Sequence, residues 1–384
     1  MRNLTAEDVQ ALARDPSPAN RAATAAKIAG KFNEHLTGAA LSASELALAE
    51  EVFRLMVRDA EVRVREALAA NLKSNPRLPH DVAVALAKDV DTVALPVLSV
   101  SEVLTADDLV QIVAAQGTPA RLDAIAGRRE VDERVSAAIV QAGVDAGNET
   151  VVAKLLANPG AVLSEPTLHK VVDRFGDREA VQAPLVARDV LPVTIAERLV
   201  VRVAEHLRAH LLARHNISPD LAMDLVLHSR ERATVGLAFG ASEDSLQALA
   251  SQLGETNRLT ASLVLRSLCM GNVRFFEHAV ATLARVPVAN ARLLIHDRGG
   301  LGFKTVWAKA GLPAAFFPAV RAALDVVEQA ELDGRVLDPE RYSRRIIERI
   351  LTQYGSLGVE FPHDDLEYLM SKVAELPATG VIIH

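Results

Sequence analysis

One short pattern recurs through the first two thirds of the chain and constrains the fold more than any other feature. It consists of an aliphatic residue, a few residues that are mostly polar, Pro or helix-capping, and a second aliphatic residue that opens an apolar run. It reads Leu78-Pro79-His80-Asp81-Val82, Leu104-Thr105-Ala106-Asp107-Asp108-Leu109 and Val131-Asp132-Glu133-Arg134-Val135. It returns as Leu163-Ser164-Glu165-Pro166-Thr167-Leu168, Leu191-Pro192-Val193-Thr194-Ile195 and Ile217-Ser218-Pro219-Asp220-Leu221. The first positions, 78, 104, 131, 163, 191 and 217, are separated by 26, 27, 32, 28 and 26 residues. A period of this length marks stacked supersecondary units.

The residues say what each copy does. Asp, Ser and Thr side chains accept hydrogen bonds from the free N–H groups of a first helical turn, and Pro has no N–H to lose there. Each copy therefore predicts a helix start. After it, apolar residues return at three- and four-residue spacing, as in Leu109, Ile112, Val113 and in Leu168, Val171, Val172. A second marker, Leu72, Leu98, Ile125, Leu156, Leu185 or Leu211, lies six or seven residues before a start and belongs to a preceding short helix. The unit is helix, tight turn, helix. Neither helix can bury its apolar stripe alone, so consecutive pairs must stack. A degenerate earlier copy begins at Leu41-Ser42-Ala43-Ser44-Glu45-Leu46, and a later one lies around Leu237 and Leu246. Runs such as Val151-Val152 lack the alternation and turns of strands.

Composition agrees with an all-α reading. Half of the 384 residues are hydrophobic but only 4% are aromatic, so thin helices must close on Leu, Val and Ala. With 24% charged residues the chain is too apolar for disorder. No run approaches the roughly 18 consecutive apolar residues of a spanning helix. Met1–Gln10 carries Glu7 and Asp8 where a secretory leader would be cationic and then apolar. A single cysteine, Cys269, suits a reducing compartment. A cytoplasmic protein without membrane insertion is expected. Of the formal charge of −7, all lies before Glu255, where 27 basic residues face 34 acidic ones; 15 of each follow. Nucleic acid is disfavoured as a partner of the first part, because phosphate binding is driven by cations.

After residue 254 the register fails and aromatics gather: six of ten Phe (Phe275, Phe276, Phe303, Phe316, Phe317, Phe361) and Trp307 lie in this third. The expected organisation is an α-solenoid of about seven or eight helical pairs over 1–254 and a helical domain over 255–384.

The segment Asp59-Ala60-Glu61-Val62-Arg63-Val64-Arg65-Glu66-Ala67-Leu68 resembles the first helix of a HEAT repeat, and the shorter units equally resemble leucine-rich-repeat variants built from short helices. Arg63 and Arg65 read as solvated or as ties between neighbouring repeats. Farther on, Leu268-Cys269-Met270-Gly271-Asn272-Val273-Arg274-Phe275-Phe276-Glu277, Ala291-Arg292-Leu293-Leu294-Ile295-His296-Asp297, Gly302-Phe303-Lys304, Lys309-Ala310-Gly311-Leu312-Pro313 and Arg341-Tyr342 follow one another. Together they resemble a bacterial family of uncharacterised helical proteins carrying a domain of unknown function. That resemblance implies a HEAT-like, all-helical architecture and brings no catalytic residue with it.

Candidate chemistry is sparse. His206 and His210 share a helix face with His215 close by, but Leu207 stands where a zincin carries its Glu, so the cluster reads as polar-face histidines. Arg298-Gly299-Gly300-Leu301-Gly302-Phe303-Lys304 lacks the spacing and the strand of a phosphate loop and reads as a link between helices. Cys269 sits in an apolar run as a small core residue. Arg341, Arg345 and Arg349 recur every four residues after Asp338-Pro339-Glu340, with Arg344 beside them, so their guanidinium groups form a stripe suited to phosphates or carboxylates. No cofactor, metal or catalytic residue is expected. The chain reads as a non-catalytic interaction scaffold or adaptor with a protein partner. The alternative is an adaptor regulated by an anionic small molecule, such as a nucleotide second messenger, at Arg341, Arg344, Arg345 and Arg349.

Overall fold

The computed structural model describes residues 17–34, 43–214, 219–297 and 300–332, and there the chain is helical, with no strand and one isolated parallel bridge between Val131 and Ala161. It divides into two compact units, Met1–Leu191 and Pro192–His384. The two long helices that follow Leu191 pack onto later helices of the second unit.

In the first unit the helices are α1 (Pro18–Glu34), α2 (Ala43–Met56), α3 (Val62–Leu72), α4 (His80–Ala87), α5 (Asp91–Val100) and α6 (Ala106–Gln116). They continue as α7 (Pro119–Ala126), α8 (Glu133–Ala146), α9 (Glu149–Ala157), α10 (Glu165–Phe175) and α11 (Glu179–Val186). Every described start that the sequence pattern predicts falls two residues after the leading aliphatic residue, at His80, Ala106, Glu133 and Glu165 here and at Val193 and Pro219 in the second unit. The capping chemistry is less uniform than the pattern. Thr105 and Asp108 form a reciprocal capping box on α6, and Asp132 Oδ1 accepts from Arg134 N at 2.9 Å on α8. At α10 the Ser164 hydroxyl instead meets Thr167 Oγ1 at 3.0 Å, and Pro166 in the first turn has no N–H that would need an acceptor.

The odd-numbered helices α1 to α11 form one layer in which each packs on the next odd helix. In the even layer α2 packs on α4, α6 on α8, and α8 on α10. The marker residues Leu72, Leu98, Ile125, Leu156 and Leu185 are all buried in the odd layer. Leu211 departs from the pattern, since it belongs to one long helix and not to a short first helix of a pair.

Polar side chains repeat the same geometry. Arg128, just past α7, donates to the carbonyls of Leu98 and Ser101 at the end of α5, both at 2.6 Å. Asn158, just past α9, donates to Ala126 and Arg128 carbonyls at 2.8 and 2.7 Å. Arg188, just past α11, donates to Leu156 at 2.9 Å and Ala161 at 2.8 Å. The last carbonyls of a helix have no partner inside it, and here each end is served by the next helix of its layer. Ion pairs link the same neighbours: Arg21 with Asp59, Arg65 with Asp89, Arg121 with Asp91 and Lys154 with Asp123. Arg65 is thus a tie between helices, while Arg63 is exposed.

The second unit contains α12 (Val193–Arg214), α13 (Pro219–Ala238), α14 (Glu243–Glu255), α15 (Ala261–Cys269), α16 (Val273–Ala284), α17 (Val288–Ile295), α18 (Leu301–Lys309) and α19 (Phe317–Leu332). α16 is central: it packs against α14, α15, α17 and α18. Phe275 and Phe276 of α16 are fully buried, and Phe303 stands edge-on to Phe276 and Trp307, with ring centroids 6.4 and 5.9 Å away. Trp307 Nε1 donates to the Pro313 carbonyl at 2.9 Å, so its polar atom is satisfied inside the aromatic core.

Candidate functional site

The arginines of the sequence-predicted stripe, Arg341, Arg344, Arg345 and Arg349, lie outside the described residues, as do the side chains of His210 and His215. His206 is exposed on α12. Cys269 is buried at the end of α15. Gly300, with φ of 67°, sits in the link between α17 and α18 and adopts the left-handed conformation that glycine accepts without strain.

The structure brings together a different polar group, on α14, α16 and α17. Local chemistry fixes its three helices. Ser242 accepts from Ser245 N at the start of α14, which puts Glu243 in the first turn. Asn272 accepts from Phe275 N at 3.0 Å, and burial of Phe275 and Phe276 then fixes where Arg274, Glu277 and His278 point. Pro287 precedes α17, which carries Arg292, and His296 caps its C-terminal end one turn later.

Glu243 accepts from Arg274 Nε at 2.7 Å, His278 Nε2 at 2.9 Å and Arg292 Nη2 at 3.1 Å. Glu277 accepts from Arg292 Nε at 2.6 Å and His296 Nε2 at 2.7 Å. The other ring nitrogen of His278 faces Gln247 Oε1 at 3.1 Å. His278 and Glu277 are buried, at 1% and 4% exposure, whereas Glu243 and Arg274 are half exposed. The His278 hydrogen bond, followed by that of Arg274, holds the Glu243 carboxyl down to about 2. The Glu277 hydrogen bond raises the Arg292 guanidinium above its ordinary value.

Two further polar centres hold the unit together. Glu197, fully buried on α12, accepts from Gln252 Nε2 at 3.0 Å and from Arg258. Glu231, buried on α13, accepts from Thr260 and Ser262 hydroxyls at 2.9 and 3.0 Å and pairs with Arg266 at 3.2 Å. A buried carboxylate survives only when it is paired and hydrogen-bonded.

Chemically, the Glu243–Glu277 network spends its cations on its own carboxylates, and what it does is pin α14, α16 and α17 to one another. Among the described residues no group of three His, Cys, Asp or Glu side chains is placed to hold a metal ion. No helix among them is long and apolar enough to cross a membrane. The sequence carried a partial signal for the network: Arg274 with His278, and Arg292 with His296, are i,i+4 pairs. Nothing pointed to Glu243, which is 35 positions from His278.

Residues 93–360 match the family described as uncharacterised protein conserved in bacteria (DUF2336). The chain belongs to that family. The DUF2336 match opens inside α5, spans α6 to α19, and takes in the whole Glu243–Glu277 network. No curated protein and no solved structure matches the chain.

Proposed function

We propose that this DUF2336 chain is a non-catalytic interaction scaffold, an α-solenoid of HEAT-like helical pairs whose surface holds another polypeptide. The observation that carries the reading is the repeated side-chain tie. Arg128 reaches carbonyls 27 and 30 positions back, and Arg188 reaches carbonyls at the same two offsets. A side-chain geometry that recurs with the sequence period is what stacked units of one kind produce, and such stacks serve as extended binding surfaces. This reading has the protein work in the cytoplasm, which its single cysteine suits.

The test is affinity capture with the full chain, followed by substitution of exposed side chains. A protein retained by the full chain, and lost on surface substitutions that leave the unfolding temperature unchanged, supports a scaffold. Turnover of a small-molecule substrate by the purified chain, with no polypeptide retained, sinks it.

A further inference from the structure

His278 has an acceptor at each of its ring nitrogens. Nε2 donates to Glu243 Oε2 at 2.9 Å, and Nδ1 faces Gln247 Oε1 at 3.1 Å. A neutral imidazole carries one N–H and one lone pair, so it serves a single acceptor, whereas an imidazolium serves both. The Gln247 amide is oriented from its other end as well, because its Nε2 donates to Ser251 Oγ at 3.2 Å, one turn farther along α14. That bond turns the amide oxygen toward the ring. In this arrangement His278 carries both protons.

The same side chains have a second arrangement in which no hydrogen bond is lost. A hydroxyl both donates and accepts, and an amide carries the two roles at its two ends. When Nδ1 gives its proton to water, the Gln247 amide can turn over: its nitrogen then donates to Nδ1, and its oxygen accepts from the Ser251 hydroxyl. Gln247 is exposed, which gives the amide room to turn and the proton a route out. Nε2 keeps its proton and still serves Glu243, but as a neutral donor. A charge-assisted hydrogen bond is roughly twice as strong as a neutral one.

The surroundings decide what the ring charge is worth. His278 is buried, and a buried charge survives only when it is paired and hydrogen-bonded. On α14 the pairing group is Glu243, while Asp244 and Glu255 are exposed. α16 itself adds Arg274, which shares Glu243, and Glu277. From α17 come Arg292, bonded to both carboxylates, and His296 at its end, which donates to Glu277. α15 brings Arg266, buried and paired with Glu231 of α13, and α18 brings Lys304 and Lys309, both exposed.

We propose that His278 is a proton-operated switch at the contact of α14 with α16: doubly protonated, it clamps the start of α14 through Glu243, and loss of its Nδ1 proton turns the Gln247 amide over and weakens the clamp. The proposal does not depend on the scaffold reading. Its sign follows from proton linkage. The folded chain offers the imidazolium two acceptors that the unfolded chain does not, and stability falls with rising pH wherever the folded state binds more protons. The loss therefore comes as pH rises across the range in which imidazoles titrate, about pH 5–8. It lies on the opposite side of neutrality from the acid loss that belongs to the Glu243 carboxyl.

The test is nitrogen-15 NMR of the imidazole rings in the full chain, from about pH 5 to pH 9, with His278 assigned by difference from His278→Gln. Both His278 nitrogens are expected to be protonated at the acid end, and Nδ1 alone to lose its proton in a single transition. Site-resolved signals separate this from His296. Gln247→Glu, which can only accept, should move the transition up by about one pH unit or more, and Gln247→Met, which removes the acceptor, should move it down. Gln247 is exposed, so these two variants carry the test even if His278→Gln does not fold. The thermal midpoint of the second unit should fall over the same pH range, and less steeply in Gln247→Met. A His278 ring that stays in one protonation state throughout, a transition at Nε2 instead of Nδ1, or a transition that neither Gln247 variant moves overturns the proposal.

Discussion

Arg128 donates through Nη2 to the carbonyl of Ser101 at 2.6 Å, across 27 positions of sequence. Arg188 makes the equivalent bond to Ala161 at 2.8 Å, also across 27 positions. The two arginines occupy one structural position two helical pairs apart, with Asn158 at the equivalent place between them, and their forked donors each gather two or more carbonyls. Burial pulls the Arg128 guanidinium below its ordinary value, yet the carbonyls it serves make it the natural cation for the place.

Replacing Arg128 with Ala should therefore destabilise the first unit by about 1–3 kcal/mol, the usual cost of leaving buried polar groups unmatched. Arg128→Lys should recover only part of this, since an ammonium does not reproduce the fork. Amide hydrogen exchange in α5 and α7 reads the loss locally. Unchanged protection in both helices would show that water serves those carbonyls equally well.

Leu72 and Leu98 are both fully buried at the ends of α3 and α5. Truncation of either to Ala should cost roughly 2–5 kcal/mol, through lost burial and the cavity left behind. Urea unfolding of the full chain, with a probe in the first unit, checks this. Negligible loss in both variants would mean that the interior collapses freely around the missing groups.

Glu243 links stability to pH. Its carboxyl is lowered from an ordinary 4.5 to about 2, first by His278 and then by Arg274. A depressed carboxyl contributes stability that is fully present above its unfolded value and is lost as pH falls through the folded one. The second unit should therefore lose stability between about pH 4.5 and pH 2, and Glu243→Gln should flatten that part of the profile. Because Glu243 is half exposed, solvent screening keeps the effect modest. Thermal midpoints measured across this range for both proteins decide it, and parallel profiles would remove Glu243 from the account.

Arg341, Arg345 and Arg349 remain the place where an anion-regulated adaptor would act. If they bind one, a thermal-shift screen against nucleotides should find a ligand that raises the melting temperature. Arg345→Glu should abolish that shift with little change in basal stability, because an exposed ion pair contributes only about 0–1 kcal/mol. A variant with a lowered melting temperature and an intact ligand response would assign the stripe to structure instead.

The helical starts were legible because their cause is local. A capping or Pro residue next to a returning apolar spacing acts within one turn, and His80, Ala106, Glu133 and Glu165 begin helices at one common offset from the aliphatic marker. The buried positions Leu72, Leu98, Ile125, Leu156 and Leu185 were legible for the same reason, since an apolar stripe on a short helix must be covered. Cys269 read correctly as core from its neighbours alone.

What the tertiary structure decided is everything that joins residues distant in sequence. The break after Leu191 depends on which helices α12 and α13 choose as neighbours, and both continue the same apolar periodicity as the helices before them. Arg128 and Arg188 look like ordinary surface arginines until the carbonyls of the preceding helix in their layer are brought beneath them. Glu243 and His278 carry no mutual signal in sequence, because a charge–charge contact depends on distance in space, and only the packing of α14 on α16 supplies it. Spacing along the chain determined the helices and their inner faces; the pairing of side chains across helices belongs to the fold, because it acts over ångströms that the linear sequence does not encode.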